Sequence, residues 1–241
     1  MTQPDAPAPE DDAKPARRGR PPKTRTSGGI DTRESILDAA EDLFSKHGFY
    51  GVTIREVARE AGVDTALVHY YFGAKRGLFD AVFLRRAEVV NRQRLQSMKR
   101  YEDSTAAITV EGCLQAFFEP VFQWWETGGD GWKSYLRLVA QVNNTPTWGT
   151  TTMTLFFDPV IERLIQMLRT CLPEARDEDL YWCYHFVSGA LSLSFADTGR
   201  IDNLSGGLCH SSDVAAVRKR MAYFLAAGTT DLCRRLADTK D

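Results

Sequence analysis

The chain has 241 residues, of which 43% are hydrophobic and 26% charged, and its formal net charge is −2. Such a composition can bury the core of one or two domains, but no apolar run approaches the roughly 18 residues that a membrane-spanning helix needs. No apolar segment of the kind found in secretory signals follows the early basic residues, so we expect a cytoplasmic protein without membrane contact.

Residues 1–28 are predicted to form a disordered basic arm. They hold six of the ten prolines and few apolar side chains, so they cannot bury enough surface to fold alone. Residues 14–25 include six basic side chains and no acidic one, and the RGRP sequence at 18–21 resembles an AT-hook, which lies in the narrow minor groove of A·T-rich DNA. The alternative is a solvated basic tail that only attracts phosphates. The predicted DNA contacts of the arm are Arg18, Arg20 and Lys23.

The first predicted helix begins at a capping box formed by Asp31 and Glu34. Apolar residues then recur at helical spacing up to Gly48, where the helix is expected to end.

Two short helices joined by a tight turn are predicted between Thr53 and Phe72. Thr53 and Glu56 form a second capping box, the first of these helices ends at Gly62, and Asp64 caps the next one. This is the pattern of a helix-turn-helix, whose second helix enters the major groove of DNA. From the spacing alone, a helical hairpin buried in a core remains an alternative.

The sequence around this pair resembles the TetR family of transcriptional regulators, with an AcrR-type N-terminal domain. The resemblance covers roughly residues 31–83 and rests on ILDAAEDLFSKHGFYGVTIREVAREAGV followed by VHYYFGAK. It implies a three-helix DNA-binding domain over residues 29–90 that binds a palindromic operator on double-stranded DNA. Matching the family pattern assigns phosphate contacts to Thr53, Arg55, Tyr70 and Lys75, and base contacts to Thr65, Ala66, Leu67 and His69. His69 departs from the tyrosine that is commoner in the family.

Residues 91–241 are predicted to form a helical ligand-binding and dimerisation domain. A helix from Ala74 to about Arg100 connects it to the DNA-binding domain, and its basic residues beyond Lys75 are assigned to a solvated face. No strand-like alternation competes with helical periodicity, so the predicted fold is all-α. Further helices are expected over about 108–126, with a kink or restart at Pro120, and over about 132–143, 153–171, 178–198 and 213–236, with a loop over 200–212.

The last two helices are predicted to form a homodimer interface. The helix over 178–198 is apolar on most sides and must be buried on more than one of them, and small residues near Gly189 allow close approach. A dimer also sets two recognition helices about one DNA turn apart. The alternative is a single monomeric core.

Aromatic residues are concentrated in the middle of the chain and suggest an apolar pocket between helices. The segment YWCYHFVSGALSLSFADTGRIDNLSGG loosely resembles the PsrA-like branch of the family, which implies a small apolar effector such as a fatty acid or an acyl thioester. The candidate ligand-binding residues are Phe118, Phe122, Trp125, Tyr135, Leu138, Gln141, Phe157, Trp182 and His185.

Neither a metal site nor a cofactor is expected. The five cysteines are widely spaced without a CxxC pair, and no hydrolase, P-loop or dinucleotide-binding motif indicates an enzyme. The sequence therefore predicts a ligand-responsive repressor. Two alternatives remain: an architectural binder of A·T-rich DNA without ligand control, and a thiol- or metal-sensing regulator based on Cys209 and His210.

Overall fold

The computed structural model describes residues 28–146 and 149–237. All regular structure within these ranges is helical, which confirms the all-α prediction. The predicted arm, with Arg18, Arg20 and Lys23, lies outside the described residues apart from Gly28. The helices are α1 Gly28–Gly51, α2 Ile54–Glu60, α3 Thr65–Phe72, α4 Lys75–Ser104, α5 Val110–Thr127, α6 Gly129–Asn143, α7 Gly149–Cys171, α8 Asp177–Ala196, α9 Arg200–Leu204 and α10 Val214–Ala237.

The first helix starts earlier than its capping-box pattern predicts. α1 begins at Gly28, so Asp31 lies within the helix and not at its start. At Gly48 the backbone leaves helical geometry (φ 70°, ψ 172°), which is a conformation that glycine adopts without strain. This break turns Phe49 toward the core, where its ring centroid lies 5.3 Å from that of Phe79.

Both caps predicted for the helix pair are confirmed. The Glu56 main-chain N–H donates to Thr53 Oγ1 (3.2 Å), and the Thr53 N–H donates to Glu56 Oε2 (2.7 Å). Gly62 has a φ of 66° just after α2, and the Asp64 carboxylate accepts from the Ala66 N–H (2.8 Å) at the start of α3. Local sequence therefore determines both ends of the turn.

The later helices differ from the predictions mainly at their ends. α4 continues through Glu102 and Asp103 to Ser104, α5 does not restart at Pro120, and the predicted loop over 200–212 contains the short helix α9. Within the described ranges, no helix combines the length and the apolar character that crossing a membrane requires.

Aromatic side chains run through the hydrophobic core that the first three helices share with the remaining body. Ring centroids are 5.2 Å apart for Phe44 and Phe79, 5.9 Å for Phe79 and Phe83, and 5.6 Å for Phe83 and Tyr135. Phe79 and Phe83 both belong to α4, so this helix packs against the first three helices and against the body. A domain boundary at residue 90 falls inside α4 and stays a prediction.

The assignment of the α4 arginines to a solvated face is wrong for three of them. Arg85 and Arg86 both reach Glu41 of α1, with N–O distances of 3.0 Å and 2.6 Å, and that carboxylate is only 2% exposed. Arg94 is buried in the body. The helical spacing accounts for the burial of Arg94, because this residue lies on the same face of α4 as the buried Ala87, Val90 and Met98.

Candidate nucleic-acid interface

Helix α3 presents most of its surface to solvent. Val68 is its only fully buried residue, whereas Ala66, His69 and Tyr70 are exposed, Tyr70 to 80%. Thr65 and Leu67 are partly buried near the start of the helix. The four predicted base-reading residues thus occupy the first turns of a helix held to the core by one side.

The imidazole of His69 is held by the end of its own helix. Its Nδ1 lies 2.7 Å from the main-chain oxygen of Gly73. A carbonyl oxygen can only accept, so Nδ1 carries the hydrogen and Nε2 is the ring atom left to meet another group. In the neutral ring Nε2 is an acceptor, which suits the amino group of adenine or cytosine in the major groove.

The four residues assigned to phosphate contacts have different surroundings. Arg55 and Tyr70 are exposed, while the hydroxyl of Thr53 donates to Glu56 Oε2 (2.8 Å) within the capping box. Lys75 begins α4, and its ammonium lies 4.6 Å from the centroid of the Phe49 ring. Partial burial lowers the pKa of Lys75; its position over an aromatic face favours the charged form.

These features define a helix-turn-helix protein in which α2 and α3 are joined by a turn at Gly62 and supported by α1 and α4. The chain belongs to the TetR family. Residues 36–82 match the family described as "Bacterial regulatory proteins, tetR family", and residues 115–228 match "Tetracyclin repressor-like, C-terminal domain".

Individual relatives are similar to parts of the chain. The HTH-type transcriptional regulator BetI of Agrobacterium fabrum is 48% identical over 46 residues, which are 19% of this chain and 22% of that protein. The negative regulator IcaR of the icaADBC biofilm operon from Staphylococcus aureus is 24% identical over 114 residues, 47% of this chain and 55% of that protein. The chain thus spans about half the length, or less, of these curated relatives.

A solved structure supports the fold over a longer range. The fatty acid degradation regulator FadR from Bacillus halodurans superposes with a TM-score of 0.58 at 16% identity, covering 82% of this chain and 95% of that one. At this level of identity the likeness concerns the all-α fold alone.

The candidate ligand-binding residues do not converge on one cavity. Tyr135 and Leu138 are core residues, and Trp182 is exposed on α8. Gln141 is also exposed, and its amide donates to the main-chain oxygen of Ser45 in α1 (2.7 Å). The other candidates line three separate cavities. Phe118 and Phe122 line one between α5 and α10. Trp125 lines a second, to which α5, α6, α8 and α10 contribute, and Phe157 and His185 line a third between α7 and α8.

The cavity between α7 and α8 has a volume of about 480 Å³, within the roughly 300–1,000 Å³ range of small-molecule sites. Its polar side is ordered by Asn143, whose amide donates to the hydroxyls of Ser188 (2.9 Å) and Ser192 (2.7 Å). Its apolar side includes Met153, Phe157 and Leu193. We call this space the α7–α8 cavity.

Sequence reasoning missed two cysteine pairs. The sulfur atoms of Cys113 and Cys171 are 3.7 Å apart, and those of Cys183 and Cys233 are 3.9 Å apart. Burial raises the pKa of all four thiols, which makes them poor nucleophiles. Cys209 is exposed, and no group of three metal-ligating side chains occurs in the part of the chain that the structure describes.

Proposed function

We propose that this protein is a transcriptional repressor that binds a palindromic operator as a homodimer and leaves the DNA when a small apolar effector binds its body. The observation that carries the proposal is the outward face of α3, where Ala66, His69 and Tyr70 are exposed beyond a capped turn. A recognition helix must offer its first turns to base edges, and the exposure of Ala66 and His69 supports this role for α3.

Exposed aromatic residues on α8 and α10 support the dimer. Large apolar side chains rarely cluster in solvent unless they meet a partner. A symmetric partner would cover the same faces on both subunits. The exposed apolar residues of these two helices are Tyr181, Trp182, Phe186, Leu193, Tyr223 and Phe224.

Effector control is supported by the α7–α8 cavity, which lies in the body, away from α3. A ligand can change DNA affinity only if it favours one conformation over another. The helix that would transmit the conformational change is α4, because Phe79 packs against Phe44 of α1 and Phe83 packs against Tyr135 of α6. The likeness to the negative regulator IcaR supports repression over activation.

The test is a footprint on the DNA upstream of the protein's own gene, followed by binding assays with selected variants. Leu67→Ala and Thr65→Val should change the preferred base sequence, whereas Leu84→Ala, on the exposed side of α4, should not. A footprint without two-fold symmetry would contradict the palindromic operator. Uniform protection of A·T-rich DNA would favour the architectural alternative.

A further inference from the structure

Arg94 is a buried cation whose charge is not matched by the protein around it. It is only 6% exposed, and among the described residues no carboxylate lies within ion-pair distance of it. Its Nε donates to the main-chain oxygen of Phe117 (3.2 Å), and its guanidinium carbon lies 4.1 Å from the Phe117 ring centroid. These contacts engage one of the five N–H donors of a guanidinium.

Two other partly buried arginines of α4 show the usual arrangement of a buried charge. Arg85 and Arg86 share the carboxylate of Glu41, as expected since a buried charge is costly unless it is paired. Burial lowers the pKa of Arg94 to about 10, so its side chain still carries a positive charge at neutral pH. Arg94 is therefore a buried cation without a carboxylate partner among the described residues.

Two polar atoms in this region are buried without a hydrogen-bond partner within the described ranges, namely the hydroxyl of Tyr135 and Asn91 Oδ1. Burial raises the pKa of the Tyr135 hydroxyl, so this group is a neutral hydrogen-bond donor and not a counter-ion for Arg94. A buried donor such as the Tyr135 hydroxyl is ordinarily paired, and an anion at Arg94 would supply an acceptor for it.

Asn91, one turn before Arg94 on α4, connects this cluster to the α7–α8 cavity. Its amide donates to the main-chain oxygen of Phe156, and the next residue, Phe157, lines the cavity with Met153 and Tyr184. The buried cation therefore lies one helical turn from the residue of α4 that contacts this wall of the cavity. A planar carboxylate suits a guanidinium because it can accept two parallel N–H bonds.

We propose that Arg94 is the anion-binding residue of the effector site, and that the effector is a carboxylate whose apolar part occupies the α7–α8 cavity. The inference rests on the proposed effector control and narrows it, because a free fatty acid has this charge at its head and a neutral ester or alcohol does not. The Tyr135 hydroxyl provides a second donor to the same carboxylate.

The test compares sodium dodecanoate with 1-dodecanol by calorimetric titration of the full chain. The wild type should bind dodecanoate roughly 10- to 100-fold more tightly, which is the effect of hydrogen bonds to a charged group. Arg94→Met should bind both compounds equally, and Arg94→Lys should keep part of the preference because it retains the charge without the planar fork. Arg92→Met is the matched control, since Arg92 is exposed on the same helix, and it should retain the full preference.

The melting temperature of the Arg94→Met variant distinguishes a ligand-binding role of Arg94 from a structural one. Removal of an unmatched buried charge should leave the melting temperature of Arg94→Met unchanged or higher. A lower melting temperature with the preference retained would overturn the proposal and assign Arg94 to holding the Phe117 carbonyl. Equal binding of both compounds by the wild type, or binding of neither, would also overturn it. Operator release is measured in parallel. Release by dodecanol alone would contradict the carboxylate site and leave the proposed effector control intact. Release by neither compound would contradict both proposals.

Discussion

The Arg76 guanidinium donates through Nη2 to the hydroxyl of Thr152, over 2.8 Å, and so ties the start of α4 to α7. Thr152 is 1% exposed and precedes Met153, which lines the α7–α8 cavity. Arg76 follows Lys75, the residue assigned to a phosphate contact. One hydrogen bond thus links the wall of the cavity to the edge of the DNA-binding unit.

We expect Thr152→Val to weaken the response to effector. The substitution removes the hydroxyl while Arg76 keeps its ion pair with Asp80 (2.8 Å). Loss of one hydrogen bond should raise the effector concentration for half-maximal operator release by about 2- to 10-fold. Thr151→Val, at an exposed position beside it, should behave as wild type in the same fluorescence-anisotropy titration.

Lys75→Ala should weaken binding to every DNA sequence and flatten its dependence on salt. One phosphate contact contributes about 0.9 to the slope of log affinity against log salt concentration, so the slope should fall by about that amount per half-site. The control is Lys99→Ala, at the far end of the same helix. If the slope is unchanged in Lys75→Ala, the phosphate assignment is wrong.

Deletion of residues 1–27 should reduce operator affinity most where the flanking DNA is A·T-rich. The narrow minor groove of such flanks attracts arginine side chains. Gel-shift assays on operators with A·T-rich and G·C-rich flanks measure the difference. An equal loss on both would mean that the arm acts only through its charge.

Glu41→Gln should destabilise the fold by about 3 kcal/mol, because it leaves Arg85 and Arg86 without the carboxylate they share. Chemical denaturation provides the measurement. Asp38→Asn removes a carboxylate that pairs with Arg85 from an exposed position, and its effect should stay within about 0.5 kcal/mol. Similar losses of stability in both variants would contradict the larger contribution that we assign to the buried carboxylate of Glu41.

Phe224→Asp should convert the proposed dimer into monomers. Phe224 is 78% exposed on α10, where a charge would be buried against the symmetric partner at high cost. Light scattering should report half the mass, and operator affinity should fall with it. Leu155→Asp, an exposed apolar position on α7, is the control and should remain dimeric.

Local signals predicted the helix-turn-helix well, because capping residues such as Thr53 and Asp64 act within three residues of their own position. The sequence did not place the candidate ligand-binding residues around one cavity. Aromatic side chains such as Phe118 and Tyr135 have the same spacing whether they fill a core or line a cavity. Arg94 appeared to be one basic residue among many, and only its position on the buried stripe with Val90 and Met98 could have indicated its burial.

If effector control works as proposed, the length of α4 would give a small movement in the body a large effect at the DNA. With 30 residues the helix is about 45 Å long, and Lys75 lies roughly 28 Å along its axis from Arg94. A tilt of about 5° around Arg94 would carry Lys75 through about 2.5 Å without bending the helix. In two subunits related by a two-fold axis, opposed tilts would change the separation of the recognition helices by about 5 Å. That exceeds the roughly 3.4 Å rise of one base pair, so both subunits could no longer stay in register with one operator.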